Sequence, residues 1–246
     1  MSDLTGKTAL VTGGSRGIGA ATAERLARDG ADVALTYARS AGKAQAVARN
    51  VEAAGRRALA VHADAADPAA TAGAVERTVA ELGRLDILVN NAGILLGGPL
   101  ADLALQDVDR IIAVNQRAAL LGAQAAGPHL GKGGRIINVG SIAAHWFPGP
   151  MSVLYGMTKS ALSGLTKGLA REFGPRGTTV NLVEPGPVET DMMDVVGPDH
   201  LPPLPTLALG RYGTPGEVAA LIAFLAGEEA AFITGATITI DGGLTL

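Results

Sequence analysis

Seven short apolar runs, at 8–11, 33–37, 58–62, 87–90, 135–139, 179–183 and 237–240, alternate with helical stretches near 18–29, 41–54, 68–82, 103–127, 152–173 and 215–226. This alternation limits the fold more than any other feature of the chain. Several of the runs are apolar almost throughout, as strands buried on both faces should be. Strand–helix alternation over the whole length implies a parallel sheet, and right-handed crossovers place helices on both of its faces. The expected fold class is therefore α/β, a doubly wound sheet in one domain over residues 1–246. Two helix starts are marked locally. Asp67-Pro68 reads as a cap followed by proline in the first turn, and Thr214-Pro215-Gly216-Glu217 has capping-box spacing.

One segment breaks the alternation. Residues 191–213 follow the sixth run and carry Pro198, Pro202, Pro203 and Pro205 among apolar residues. In open α/β sheets ligands bind at the carboxyl edge of the strands, where this segment must emerge. It reads either as a substrate lid or as a long surface connection, and its apolar content argues against disorder. Composition removes other possibilities. Charged residues are 17% of the chain and the net charge is −3, so neither a basic nucleic-acid surface nor a polybasic membrane anchor is expected. There is no cysteine for a disulfide, a thiol nucleophile or a thiolate-held metal, and His62, His129, His145 and His200 lack metal-site spacing. The start, Met1-Ser2-Asp3-Leu4-Thr5-Gly6-Lys7, has no signal-peptide core, and no apolar run nears ~18 residues. The expected location is cytoplasmic, with no membrane or nucleic-acid partner.

The polar residues at the ends of the runs carry the chemistry. The first run enters Thr12-Gly13-Gly14-Ser15-Arg16-Gly17-Ile18-Gly19 and then a helix, a setting in which glycines bring backbone N–H groups close to a pyrophosphate. A dinucleotide site without a 2′-phosphate normally has an acid at the end of the second strand. Here Tyr37-Ala38-Arg39-Ser40 has none, and Arg39, Ser40 and Arg16 suit a phosphate instead. Asp64 ends the third run, where it can accept from an adenine amino group or act as a turn residue. Asn90-Asn91-Ala92-Gly93 ends the fourth, and Ser141 follows the fifth. Asn115 sits within the 103–127 helix, where asparagine is unfavourable, so it bends the helix or binds water there. Tyr155 and Lys159 lie four residues apart on one helix face. An ammonium ~4 Å from a phenol contributes up to ~4 kcal/mol at an effective dielectric near 20. That is expected to pull the phenol down from its usual pKa of ~10. Alone, such a pair is common on exposed helices; its context gives it meaning.

Taken in order, Thr12 to Gly19, Asp64, Asn90 to Gly93, Asn115, Ser141, Tyr155, Lys159, Pro185-Gly186-Pro187-Val188-Glu189-Thr190 and the ending Asp241-Gly242-Gly243 resemble the short-chain dehydrogenase/reductase family. The resemblance covers essentially the whole chain and is nearest the 3-oxoacyl-carrier-protein reductases and related bacterial ketoreductases. It implies a seven-stranded Rossmann fold in the order 3-2-1-4-5-6-7 and a homotetramer, or a dimer, built through the helices around 103–127 and 152–173. It implies a catalytic set of Asn115, Ser141, Tyr155 and Lys159, with Tyr155 giving a proton to a ketone as nicotinamide C4 gives a hydride. It implies NADPH/NADP+ held by Gly13, Ser15, Arg16, Gly17, Ile18, Gly19, Arg39, Ser40, Asp64, Ala65, Asn91, Ala92, Gly93, Tyr155, Lys159, Pro185, Gly186, Val188 and Thr190, and no metal. Ser141, His145, Trp146, Phe147, Met192 and Met193 are the expected substrate-pocket residues. Two departures stand out. Ala65 replaces a larger aliphatic residue, and Glu184 replaces a neutral one, its side chain either entering the sheet edge or facing solvent. The expected activity is NADPH-dependent carbonyl reduction, reversible to secondary-alcohol oxidation. The alternatives are a dedicated 3-oxoacyl-carrier-protein reductase and a nucleotide-binding regulatory protein with little catalysis.

Overall fold

The computed structural model describes residues 3–146, 153–197 and 201–246. Phe147 and Pro198 therefore lie outside the described residues. The strands are β1 (Thr8–Val11), β2 (Asp32–Tyr37), β3 (Ala58–His62), β4 (Ile87–Asn90), β5 (Arg135–Val139), β6 (Thr179–Pro185) and β7 (Thr237–Ile240). They form one sheet in the order 3-2-1-4-5-6-7, parallel at every pairing. The helices are α1 (Gly17–Arg28), α2 (Ala41–Ala53), α3 (Pro68–Leu82), α4 (Leu105–Ile112), α5 (Ala118–Ala126), α6 (Val153–Phe173), α7 (Asp191–Val196) and α8 (Pro215–Ala226). β6 runs two residues beyond its apolar stretch because Glu184 and Pro185 pair with Thr239 and Ile240.

Both faces of the sheet are covered, which is why the strands are apolar on consecutive residues rather than alternate ones. Val11, Leu35, Val89 and Ile137 face α1, α2 and α8, meeting Leu26, Val51 and Ile222. Their neighbours Leu10, Leu88 and Ile136 face the other way, against Leu82 of α3, Ala123 of α5 and Phe173 of α6. Each fully buried leucine or isoleucine contributes roughly 1.5–3 kcal/mol. The two marked helix starts have the caps that their sequences specify. Asp67 accepts from the Ala69 and Ala70 N–H groups, and Thr214 and Glu217 complete a reciprocal capping box. No helix among the described residues is long and apolar enough to cross a membrane.

The 103–127 stretch is not one regular helix. Residues Ala113–Arg117 form a π-turn between α4 and α5, centred on Asn115. Such bulges commonly mark functional sites. The cause is visible in the side chain: Asn115 is buried and bonded to two neighbouring segments at once.

A buried polar network ties the middle of the sheet to its covering helices. Asn90 donates to Asn138 at 2.9 Å and to the Ala119 carbonyl at 3.3 Å, and Asn138 donates to Thr166 of α6 at 2.9 Å. Asn138→Ala would leave the Asn90 amide with only its longer bond to the Ala119 carbonyl and remove a partner of Thr166. It is expected to lower the unfolding free energy in urea by about 2–4 kcal/mol, since an unmet buried group costs ~1–3 kcal/mol. Thr214→Ala, which removes an exposed cap, is expected to cost only about 1 kcal/mol in the same measurement.

Candidate active site

The glycine-rich turn is fastened to the neighbouring strand before it can meet any ligand. Thr12 Oγ1 accepts the Asn91 and Ala92 N–H groups, each at 3.0 Å. Asn91 Nδ2 donates back to the carbonyls of Thr12 (2.8 Å) and Gly13 (3.2 Å). The Gly13 N–H reaches Thr36 Oγ1 of β2 at 2.9 Å. Gly13 and Gly17 take φ of 64° and 54°, which other residues adopt only with strain. A Cβ on Gly19 would lie 2.4 Å from the Gly13 carbonyl oxygen, so only glycine fits there. Ser15 is partly exposed, and Ile18 packs on the core. Arg16 begins α1 in extended conformation with no side-chain cap, leaving first-turn N–H groups for an anion.

The end of β2 and the start of α2 carry the cations. Arg39 is exposed, and Ser40 begins α2 with no side-chain cap. Lys43, one turn beyond Arg39, escaped the sequence reading, although the four-residue spacing was its signal. Its Nζ lies 3.1 Å from Asp191 Oδ2, and Arg16 Nη1 lies 3.4 Å from the same oxygen. The first acid of α7 thus bridges two of the cations, and they hold its carboxyl below the usual range, Lys43 most strongly. Asp64 is also engaged rather than free. It accepts from the Ala66 N–H at 2.9 Å and from Arg110 at 3.0 and 3.1 Å, and these bonds, the Ala66 one first, lower its pKa. Arg110, on α4, had no local signal because only the fold brings it to β3. Ala65 lines a narrow crevice beneath the strand ends, together with Thr12, Ala63, Ala92, Asn115 and Val139.

The reactive groups come from the end of β5, from α6 and from the π-turn between α4 and α5. Ser141 follows β5 and starts a short 3₁₀ turn over Ile142–Ala144, its Oγ accepting from the Ala143 N–H at 3.1 Å. Ser141 and the Tyr155 phenol share a hydrogen bond. Lys159 is only 4% exposed. Its Nζ lies 5.7 Å from the centre of the Tyr155 ring and donates to the Val139 carbonyl at 3.0 Å. Asn115 joins the set through structure. Its amide bonds the Ile94 N–H and carbonyl at 2.9 and 3.0 Å, and also Thr158 Oγ1 at 3.1 Å, between Tyr155 and Lys159. Gly93 completes the wall: a Cβ there would stand 3.4 Å from Lys159 Nζ and 3.6 Å from Asn115 Oδ1.

The electrostatics reverse one expectation. The Tyr155 pKa is pushed up to about 12, not down, because protein surrounds the phenol and penalises its anion; the Ser141 hydrogen bond acts weakly the other way. The same burial pushes Lys159 down to about 8. A cation at ring distance, itself bonded to a carbonyl, does not overcome desolvation of that size.

The remaining expected site residues lie along the same edge. Pro185 ends β6, Gly186 donates to the Ile240 carbonyl at 2.9 Å, and Val188 is buried. Thr190 caps α7 by accepting from the Met192 N–H, and its methyl would lie 3.2 Å from a Cβ on Gly17. Met192, Met193 and Trp146 are partly buried. His145 points at Glu184, 3.3 Å from Nδ1 to Oε2, and Glu184 enters the sheet edge rather than solvent.

The donor set and the cradle walled by Gly17, Thr190 and Gly93 fit a dinucleotide. Comparison with known proteins agrees. The family described as enoyl-(acyl carrier protein) reductase matches residues 13–245. The chain belongs to the short-chain dehydrogenase/reductase family. Its relatives within that family include the cyclic-di-GMP-binding biofilm dispersal mediator protein of Escherichia coli K12, 44% identical over 98% of each chain. A 3-oxoacyl-[acyl-carrier-protein] reductase of Synechocystis is 40% identical over 100% of each. A short-chain dehydrogenase from Burkholderia cenocepacia, solved in complex with NADP, superimposes with a TM-score of 0.96 at 53% identity, covering 99% of this chain and 100% of that one.

In this family setting the cation cluster predicts selective cofactor binding. Arg39→Ala is expected to raise the NADPH dissociation constant by about tenfold, the value of one charge-assisted hydrogen bond, and to leave NADH nearly unchanged. Asp191→Asn frees Arg16 and Lys43 and is expected to tighten NADPH by roughly threefold, since a half-exposed pair is worth ~0–1 kcal/mol. Fluorescence titration with both cofactors at moderate salt measures both effects.

Proposed function

We propose that the chain is an NADPH-dependent carbonyl reductase, reversible to a secondary-alcohol dehydrogenase, acting on small hydrophobic or aromatic ketones. The observation that carries this is the meeting of the Ser141 hydroxyl, the Tyr155 phenol and the Lys159 ammonium at one strand edge. Arg16, Arg39, Ser40 and Lys43 would hold the 2′-phosphate, Gly13 to Gly19 the pyrophosphate, Asp64 and Ala65 the adenine, and Asn91 to Gly93, Lys159, Pro185, Gly186, Val188 and Thr190 the nicotinamide half. When bound, NADPH supplies the hydride.

The chain's own residues do the rest. With a pKa about 12 the phenol is fully protonated at neutral pH, yet remains well below the ~15.7 of water. Tyr155 therefore gives its proton to the oxyanion that develops on the substrate, and Ser141 donates a hydrogen bond to the same oxygen. Lys159, protonated below about pH 8, favours the tyrosinate left behind. Both amide hydrogens of Asn115 are engaged, so a part for it in returning protons from solvent falls to its backbone. Trp146, Met192, Met193 and His145 supply the substrate wall, and the described part of residues 191–213 acts as the lid; Phe147, the other expected wall residue, lies outside the described residues. A homotetramer or dimer is part of this reading; Leu105, Leu120, Val153 and Met157, exposed on α4, α5 and α6, suit such an interface. So is a cytoplasmic setting.

Two other readings have support. The Synechocystis relative is named for acyl-carrier-protein substrates. Docking an acidic carrier favours a basic rim, whereas residues 191–213 hold one arginine, Arg211, paired with Glu217, among Asp191, Asp194 and Asp199. The E. coli relative is named for binding cyclic di-GMP, and the cations at Arg16, Arg39 and Lys43 would accept phosphates of such a ligand.

Tyr155→Phe is expected to lower ketone turnover by roughly two to four decades with the NADPH dissociation constant preserved. Turnover within about threefold of wild type would sink the mechanism. The wild type is expected to consume NADPH with at least one member of a panel of ketones, β-ketoesters and acyl thioesters. Tight NADPH binding without turnover, and competition by cyclic di-GMP, would transfer the assignment to a binding protein.

A further inference from the structure

Glu184 is an acid without a part in the proposed chemistry, although it is 2% exposed and stands at the active edge of the sheet. A carboxylate is rarely buried without a partner. Its partner is His145, with Oε2 3.3 Å from Nδ1. The methylene part of Glu184 lies on the other side of the same turn: a Cβ on Gly140 would stand 3.1 Å from its Cγ. Glu184 thus touches the residue before Ser141 and the residue that closes the 3₁₀ turn after it. The turn has one further tie, from Ser160 Oγ to the Ala144 carbonyl at 2.6 Å. Of these contacts only the one to His145 can change charge.

We propose that Glu184 is a positioning residue for Ser141, acting through His145, so that the charge of this pair tunes how ketone is aligned. The proposal rests on Ser141 being the substrate-orienting hydroxyl. Among the described residues the surroundings leave the pair nearly alone. β7 opposes Glu184 with the uncharged Thr239. β5 brings Val139 and Gly140, and α6 brings Tyr155 and Lys159, whose ammonium is bonded to Val139. Residues 147–152, which follow Trp146, contain no ionisable side chain. Burial raises the Glu184 carboxyl above its usual range, and His145 opposes that rise. A raised carboxyl favours the fold at low pH, and that contribution is lost as pH rises through its folded value. Among the described residues His145 is the group placed at ion-pair distance to offset the buried charge, so the hold on the turn that carries Ser141 follows the charge of the pair.

Trp146, the only tryptophan, is adjacent to His145 and reports the turn with no substrate present. Its emission is to be followed from about pH 5.5 to 9 in wild type, E184Q and H145Q, each at fixed salt. The expected result is a pH-dependent change in wild type that is altered in E184Q, because the glutamine removes the carboxylate that faces His145. H145Q, altered at an exposed side chain, should show no such change. Thermal melts should place E184Q above wild type at pH 8.5 and level with it at pH 5.5. With an active ketone, kcat/KM of wild type relative to E184Q should fall roughly threefold from pH 6 to 8.5, with NADPH binding equal in both. Lys159 titrates in both proteins, so the ratio isolates the pair. Coincident emission titrations of wild type and E184Q overturn the proposal whether or not a ketone is turned over. So does the same change surviving in H145Q, or a flat activity ratio.

Discussion

Parallel pairing of β1 with both β2 and β4, and of each later strand with the next, sends every strand's carboxyl end to the same edge. The ladder itself gives no chemistry, but it sets where chemistry can be. Thr12, Tyr37, Asp64, Asn90, Ser141 and Pro185 stand at or just beyond six strand ends, and residues far apart in sequence become neighbours. The interior is apolar on both faces, so the ends are where polar side chains find partners. Among the polar side chains inside the sheet, Asn90 and Asn138 are bonded to each other, and Asn138 to Thr166 of α6. The same rule explains why Thr12 and Asn91 bond back and forth across β1 and β4. An unanchored glycine-rich turn would lose much of its ordering on ligand binding, whereas this one is already fixed.

The reactive pair shows burial outweighing attraction. Tyr155 goes up to about 12 and Lys159 down to about 8, and desolvation leads in both. The two shifts share one consequence: each group is pushed toward its neutral form, the phenol with its proton on. For a reductase that is the useful direction for tyrosine, which begins the step as an acid. The lysine remains a cation under most conditions in which the enzyme would work. Its carbonyl bond to Val139 fixes it at the cradle floor, where Gly93 leaves the space open.

Much of this was legible in the chain. Apolar runs named all seven strands to within two residues, since strands buried on both faces leave little ambiguity. The capping residues Asp67 and Thr214 located two helix starts because capping is local chemistry. Asn115 announced an irregular helix, though not that the irregularity is a π-turn whose side chain serves β4 and α6. What was not legible depends on distance across the fold. Arg110 reaches Asp64 from 46 positions away, and Asp191 reaches Arg16 from 175. Glu184 left two orientations open, because only the 3₁₀ turn after Ser141 supplies the histidine that draws it inward. The direction of the tyrosine shift needed the depth of the site, which sequence spacing does not contain.

Asp191 connects cofactor choice to the segment above the site. Its oxygen lies near both Arg16 and Lys43, and all three side chains are roughly half exposed. Pairs of that kind are weak in water and weaken further with salt. A phosphate placed among the same cations carries close to two charges and three acceptor oxygens, so it displaces a single carboxylate readily. The carboxylate then sits beside an anion rather than a cation, and its helix, α7, loses its tie to α1 and α2. α7 has no fully buried residue to hold it otherwise, and Thr190 anchors only its first turn. The helix proposed to cover the substrate pocket is therefore fastened chiefly by charges that a 2′-phosphate would also contact. With a phosphate among these cations, cofactor identity and the position of α7 would be linked through one oxygen atom, without any strand or core side chain having to move.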